Sequence, residues 1–252
     1  EMSIKEGQKL IEAHPGNSRY VLSLVDILFN NNKKNQALDL VMSTLSTYPN
    51  QPDIKMAAYN LYKDRNDNQK AFKYLKEAFD NPDLEGIVKA KAFSDILLQM
   101  QNTSRDQLLD SLSKPLEAYH LNTPEILIAL GDYRLQKNDA KKAIKYYSKA
   151  LNIKPNKEEL YQQLIPLMFE NQEPFEDIAE IATKATESFP ENAVFWFYLG
   201  TAKSASKENE MAKSALEKAL ELNNKSNPQL TLMTNSQLGD VLYGLGEKEK
   251  AF

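Results

Sequence analysis

The chain contains no cysteine among its 252 residues, which excludes disulfide bonds, thiolate zinc sites and cysteine-ligated iron–sulfur clusters. Glycine is scarce, at 8 residues, against a usual share of roughly 7%. Turn-rich β architectures need many positions with positive φ, so this scarcity argues against them. Histidine is limited to His14 and His120, with no second histidine and no cysteine at metal-ligand spacing to either. Both fall near expected helix ends, a pattern that fits capping or solvated roles rather than catalysis. Long apolar runs are also missing. The longest, around Val21–Phe29 and Ala193–Gly200, fall far short of the ~20 residues that span a bilayer. Neither charge dominates: 35 acidic against 31 basic residues leave a net charge of −4. Without a Lys/Arg surplus to neutralise phosphates, nucleic acid is not the expected partner.

Signatures of chemistry are absent as well. The sequence holds no G-x-G-x-x-G, no P-loop and no G-x-S-x-G. Its adjacent carboxylates, such as Glu158-Glu159 and Glu176-Asp177, suit first turns of helices, where the macrodipole favours negative charge. Nothing isolates a carboxylate pair in an apolar setting, as acid–base catalysis requires. Lysines at Lys33-Lys34, Lys141-Lys142 and Lys248/Lys250 are dispersed over turns and helix starts and form no basic stripe. Asn102-Thr103-Ser104 and Asn224-Lys225-Ser226 match the glycosylation acceptor pattern, which is common by chance. The expectation is a chain with no enzymatic activity, no cofactor and no metal.

What is present is 42% hydrophobic residues in a background of alanine, leucine, lysine, glutamate and glutamine, all good helix formers. They recur at a fixed period. After Leu130-Gly131 come Ala143, Tyr147, Ala150 and Pro155, at offsets of 12, 16, 19 and 24 from the glycine. Sixty-nine residues on, Leu199-Gly200 is followed by Ala212, Leu216 and Ala219 at the same offsets, with Asn224 in the proline's place. Leu238-Gly239 opens a third series that reaches Ala251. Upstream, Ala37 and Ala71 lie 34 apart, as do Pro15 and Pro49. Small residues at these offsets let two helices approach closely, while Trp196, Leu199 and Tyr147 fill the space between adjacent pairs. Pro49, Pro155 and Pro190 fall just beyond a second helix, where a missing N–H and a fixed φ end it.

This pattern resembles the tetratricopeptide repeat family, whose 34-residue repeat of two antiparallel helices carries W-x2-L-G-x2-Y, then A-x3-F, A and P. The resemblance covers essentially the whole chain and implies an all-α, right-handed α-solenoid of stacked antiparallel helix pairs. The expected organisation is a single array over 1–252. Residues 1–17 hold a second helix alone, roughly Met2–Ala13. Repeats follow at about 18–51, 52–85, 86–123, 124–157, 158–192 and 193–226, with a truncated one at 232–252. Two repeats depart from the pattern. That at 86–123 has Pro115 in its second helix, with Leu108, Leu109, Leu112 and Leu116 as the apolar face. That at 158–192 has Pro166 in its first helix and a longer turn at Asn171-Gln172-Glu173-Pro174. Lys225–Gln229 is an insertion. Changed curvature or local softening is expected at these places. The chain begins without an initiator Met and stops within the pattern, so it is expected to be a fragment of a longer protein.

The resemblance also implies where a ligand binds. First helices of such arrays line an inner, concave wall through the second, fifth, ninth and twelfth positions of each repeat. Carried over by register, the candidate peptide-binding residues are Leu22, Asp26, Met56, Asn60, Ile128, Asp132, Tyr161, Phe197, Thr201 and Asp240. Tyr161, Phe169 and Phe197 are expected to form an aromatic patch, and the register of the third repeat stays open. One subfamily grips C-terminal carboxylates with Lys and Asn at the fifth and ninth positions; no such pair occurs here. An apolar or basic-apolar peptide therefore suits the wall better than an acidic tail. The expected function is a non-enzymatic scaffold binding a peptide or partner helix on its concave face. A second reading stays open, a regulatory or substrate-docking array fused to an enzyme or envelope-anchored part outside this sequence. Self-association through the solenoid ends is a third. Asparagine- and lysine-rich turns such as Asn30–Asn35 suggest a bacterial source. Periplasm or cell envelope and cytoplasm stand equally open.

Overall fold

The computed structural model describes residues 2–99 and 103–247. Four residues singled out above, Asn102, Lys248, Lys250 and Ala251, lie outside the described residues. Those described form fourteen α-helices and no strand. They are α1 (Met2–Ala13), α2 (Ser18–Asn30), α3 (Lys34–Thr47), α4 (Pro52–Asp64), α5 (Asn68–Phe79), α6 (Gly86–Gln99) and α7 (Thr103–Tyr119). Then follow α8 (Pro124–Gln136), α9 (Ala140–Ile153), α10 (Glu158–Glu170), α11 (Phe175–Ser188), α12 (Ala193–Ala205), α13 (Asn209–Asn223) and α14 (Pro228–Gly244). The architecture is an all-α helical-repeat solenoid. Its contacts divide the chain into two compact units, an N-terminal one at Glu1–Leu121 and a C-terminal one at Asn122–Phe252.

One device closes the ends of α2, α4, α8, α10, α12 and α14. Asn32, Asn66, Asn138, Gln172, Lys207 and Gly246 all adopt left-handed backbone, with φ between 55° and 82°. In each turn the next amide reaches back to the carbonyl five residues earlier: Lys33 to Leu28 at 2.8 Å, Asp67 to Tyr62 at 3.0 Å, Asp139 to Arg134 at 2.8 Å. Glu173, Glu208 and Glu247 do the same to Met168, Lys203 and Leu242 at 2.9–3.0 Å. This is the Schellman closure, which satisfies carbonyls that the helix end leaves without partners. Asp67 and Asp139 then cap the following helix by accepting from the amides of Lys70 and Lys142. The turn after α10 has one residue more, with Pro174 preceding α11. In the other direction the prolines mark the ends: Pro49, Pro155 and Pro190 each stand two residues beyond the last residue of α3, α9 and α11. Asn17, Asn192 and Asn227 cap α2, α12 and α14 through their side-chain oxygens.

The small residues mark close helix approaches. A Cβ on Gly131 of α8 would fall 2.6 Å from Cδ1 of the Tyr147 ring on α9. One on Gly200 of α12 would meet Leu216 Cγ at 2.6 Å and the Ala212 carbonyl oxygen at 3.2 Å. Ala37, Ala71, Ala143, Ala150, Ala212 and Ala219 are all buried. Trp196 packs beside Phe197, Ala212 and Leu216 and donates from Nε1 to the Pro190 carbonyl at 2.8 Å. Both helix-interior prolines lie within unbroken helices: α7 runs through Pro115 and α10 through Pro166. Each proline lacks the N–H that its helix would otherwise use. In α7 burial of Leu108, Leu109, Leu112 and Leu116 at 4% exposure or less supports the helix instead.

Candidate functional site

The N-terminal unit brings four of the candidate residues together. On α2, Leu22 and Asp26 lie one turn apart; on α4, Met56 and Asn60 do the same. All four line one groove of about 430 Å³, with Val25, Phe29, Asp53, Ala57, Leu61 and Val88. Asp26 and Asn60 are exposed, Leu22 is half-buried, and Met56 keeps 8% of its surface. The floor is thus aliphatic and the rim carries two carboxylates, Asp26 and Asp53. Among the described residues neither has an ion-pair partner. The nearby Lys34 is committed elsewhere, to Asp64 at 2.8 Å and over the Phe29 ring at 4.8 Å. Lys63 lies over the ring of Tyr59, 5.8 Å from its centroid. The groove is therefore apolar inside with unneutralised negative charge at its edge.

Val88 belongs to α6, the helix whose register the sequence left open, and it brings that helix to the groove. Val88, Lys91, Asp95 and Leu98 repeat the spacing of Arg19, Leu22, Asp26 and Phe29 on α2. Asp95 acts electrostatically on Tyr59 of α4: after burial, its charge is the second cause that raises the Tyr59 hydroxyl above the ordinary tyrosine value. Leu98 is 73% exposed, an unusual exposure for a leucine on the face shared with Val88.

In the C-terminal unit the six remaining candidates do not converge in this way. Tyr161 corrects the expectation most clearly. It has no exposed surface and meets Phe189 and Phe195 edge-on, with ring centroids 6.2 and 5.9 Å away. It is a core residue and cannot face a ligand. The aromatic patch consists instead of Phe169, Tyr198 and Phe197, with Tyr198 6.2 Å from Phe169 and 5.7 Å from Phe197. Phe197 itself keeps only 6% of its surface. Asp132 is half-buried and accepts from the Tyr147 hydroxyl at 2.6 Å, while Gln163 donates to that same oxygen at 2.9 Å. Burial raises the Asp132 carboxyl above its ordinary value, against the lowering effect of the hydrogen bond from Tyr147. Thr201 spends its hydroxyl on the Phe197 carbonyl at 2.9 Å. Ile128 is half-buried and Asp240 exposed. A cavity of about 680 Å³ in this unit, near the starts of α12 and α14, takes none of the six.

Lysine 89 carried no signal in the sequence, yet it is buried without exposed surface. Its Nζ lies 2.8 Å from Nε2 of His120 and donates to the carbonyls of Phe79 at 3.0 Å and Asn81 at 2.8 Å. His120 is therefore half-buried and engaged, which corrects its expected solvated or capping role; His14 is exposed and tilts against Tyr20, 5.3 Å away. Among the described residues no group of three or more metal-ligating side chains is assembled, and no helix is long and apolar enough to cross a membrane.

Residues 124–157 and 193–226 match the family model described as tetratricopeptide repeat. No curated protein matches the chain. A solved structure titled as the crystal structure of MamA protein is 17% identical, covers 65% of this chain and 86% of its own, and superposes with a TM-score of 0.51. MamA 41-end from Desulfovibrio magneticus RS-1 is 18% identical over 65% of this chain and 89% of its own, with a TM-score of 0.48. YrrB, titled a TPR protein with an unusual peptide-binding site, is 16% identical over 90% and 95%, with a TM-score of 0.39. At these identities the likeness concerns the fold.

Proposed function

The chain belongs to the tetratricopeptide repeat family, and from that premise we propose that it is a non-enzymatic scaffold whose first helices dock a peptide or partner helix. The groove formed by α2, α4 and α6 is the docking place in this reading. Its carrying observation is the convergence of Leu22, Asp26, Met56 and Asn60 on one apolar groove with two unpaired carboxylates at the rim. An aliphatic or aromatic side chain fills the floor, and Lys or Arg beside it meets Asp26 and Asp53. Such rim charges govern encounter and selectivity more than total affinity.

Labelled amphipathic peptides in matched sets, apolar with lysines, apolar with glutamates and polar with lysines, test this reading by fluorescence anisotropy. The apolar-lysine peptide is expected to bind best, with affinity falling as salt rises. Combined Asp26→Asn and Asp53→Asn replacement is expected to weaken it by about tenfold, on the order of 1.4 kcal/mol, and to flatten the salt dependence. Equal binding of acidic and basic peptides, or no response to these variants, overturns the reading.

A further inference from the structure

Lysine is seldom fully buried, because removing its charge from water is costly unless every proton finds an acceptor. Lys89 meets that condition within the N-terminal unit. The Phe79 carbonyl comes from the end of α5, the Asn81 carbonyl from the loop after it, and the His120 imidazole from just beyond α7. Three ammonium protons and three acceptors match one to one. A single side chain thus ties the first turn of α6 to the ends of α5 and α7. The neighbouring residue on α6, Val88, lines the groove of the proposed scaffold.

While Lys89 is an ammonium, the contact holds only if His120 presents a lone pair at Nε2. Imidazolium has N–H at both ring positions and would point a second positive charge at Nζ from 2.8 Å. Other charged or titratable groups facing the pair are Asp80 and Asp83 from the α5–α6 loop and Tyr119 from α7, whose ring centroid lies 5.9 Å from Nζ. The two aspartates oppose the loss of the lysine proton; burial works the other way and prevails, pushing Lys89 down to about 8. Burial, and then the lysine's charge, likewise hold His120 below its usual value. Losing a proton at the alkaline end does not break the joint. A neutral amine keeps two N–H groups for the two carbonyls and offers its lone pair to a protonated Nε2. Only acid opposes the contact.

We propose that the Lys89–His120 contact is a clamp on α6 that protonation of His120 releases, loosening the helix that carries the third wall of the groove. The clamp stands on its own geometry; its effect on a ligand rests on the proposed peptide-docking function. Sign and window follow from linkage. A histidine whose folded value is depressed adds stability above the ordinary 6.5, and this is lost as pH falls below 6.5 toward the folded value.

Hydrogen exchange and imidazole NMR on the full chain test the clamp without any ligand. With His14→Gln the chain keeps a single histidine, so the remaining imidazole signal belongs to His120. Its midpoint is expected below 6.5, and protection of the first turns of α6 is expected to fall by about tenfold for each unit of that depression as His120 titrates. His120→Gln keeps an acceptor at every pH and is expected to hold α6 protection constant between pH 7.5 and 5. A midpoint at or above 6.5 overturns the clamp, as does α6 protection indifferent to pH, or His120→Gln responding like the parent. Binding of the apolar-lysine peptide is expected to weaken over the same range in the parent and not in His120→Gln. If α6 loosens and binding stays unchanged, the groove reading fails while the clamp stands.

Discussion

Tyr147 shows how one residue serves packing and polarity together. Its ring occupies the space that Gly131 leaves open, and its hydroxyl, buried with the ring, donates to Asp132 and accepts from Gln163. Burial, with the adjacent carboxylate, pushes the phenol far above the ordinary tyrosine value, so it acts as a donor throughout the accessible pH range. The carboxylate bears the cost, since it is partly withdrawn from water. A carboxyl raised above its unfolded value takes up a proton in the native state first, so its penalty is present at neutral pH and relieved as pH falls toward 3.8. Asp132→Asn keeps the acceptor and removes the charge. Urea unfolding at pH 7 is expected to find it at least as stable as the parent, with the difference shrinking at lower pH. Asp132→Ala leaves the Tyr147 donor without a partner and is expected to lose about 1–3 kcal/mol. A gain for Asp132→Asn that grows on acidification contradicts this account.

At the scale of elements, the repeated turns carry the fold. Positive φ is tolerated by Asn better than by most residues, and Asn occupies it at positions 32, 66 and 138. Asn138→Gly is expected to leave stability unchanged or raise it by about 1 kcal/mol, whereas Asn138→Val is expected to lower it by about 1–2 kcal/mol. Thermal melts of the two variants check the pair, and a valine variant that melts with the parent would remove the turn from the list of determinants. Helix ends and close approaches were legible in advance because they need particular residues: Gly131 and Ala143 where backbones approach, Pro49, Pro155 and Pro190 where helices stop. Four groove residues were legible for the same reason, since repeats of constant length bring equal positions of α2 and α4 side by side. Val88 was not, because the second helix of its repeat lacks the small alanine that Ala37 and Ala71 supply in the two before it. Counting along a repeat places a Cβ but not the ring beyond it, and Tyr161 extends into the core between Phe189 and Phe195. Lys89 stayed hidden because its acceptors are main-chain carbonyls and a histidine 31 residues away, which no local pattern announces.

For the whole molecule, the question is how far folding in one part depends on another. In a helical repeat array each element is buried mainly by its sequence neighbours, so stability is close to a sum of local and nearest-neighbour contributions. Such a chain need not unfold in one step, and here the contacts already separate into two units. The sequence supplies a convenient reporter, because its single tryptophan, Trp196, lies in the C-terminal unit, packed beside Phe197 and Leu216. Tryptophan fluorescence therefore follows that unit alone, while far-ultraviolet circular dichroism follows the helices of both. Urea titrations by the two probes are expected to give different midpoints. Lowering pH from 7.5 to 5 is expected to move the dichroism curve through loss of the Lys89–His120 contact in the N-terminal unit, with a smaller shift in fluorescence. Superimposable curves at both pH values would mean that the units unfold as one. Stabilisation lost at His120 would then be shared with Trp196, and local control of the groove would require coupling through the entire chain.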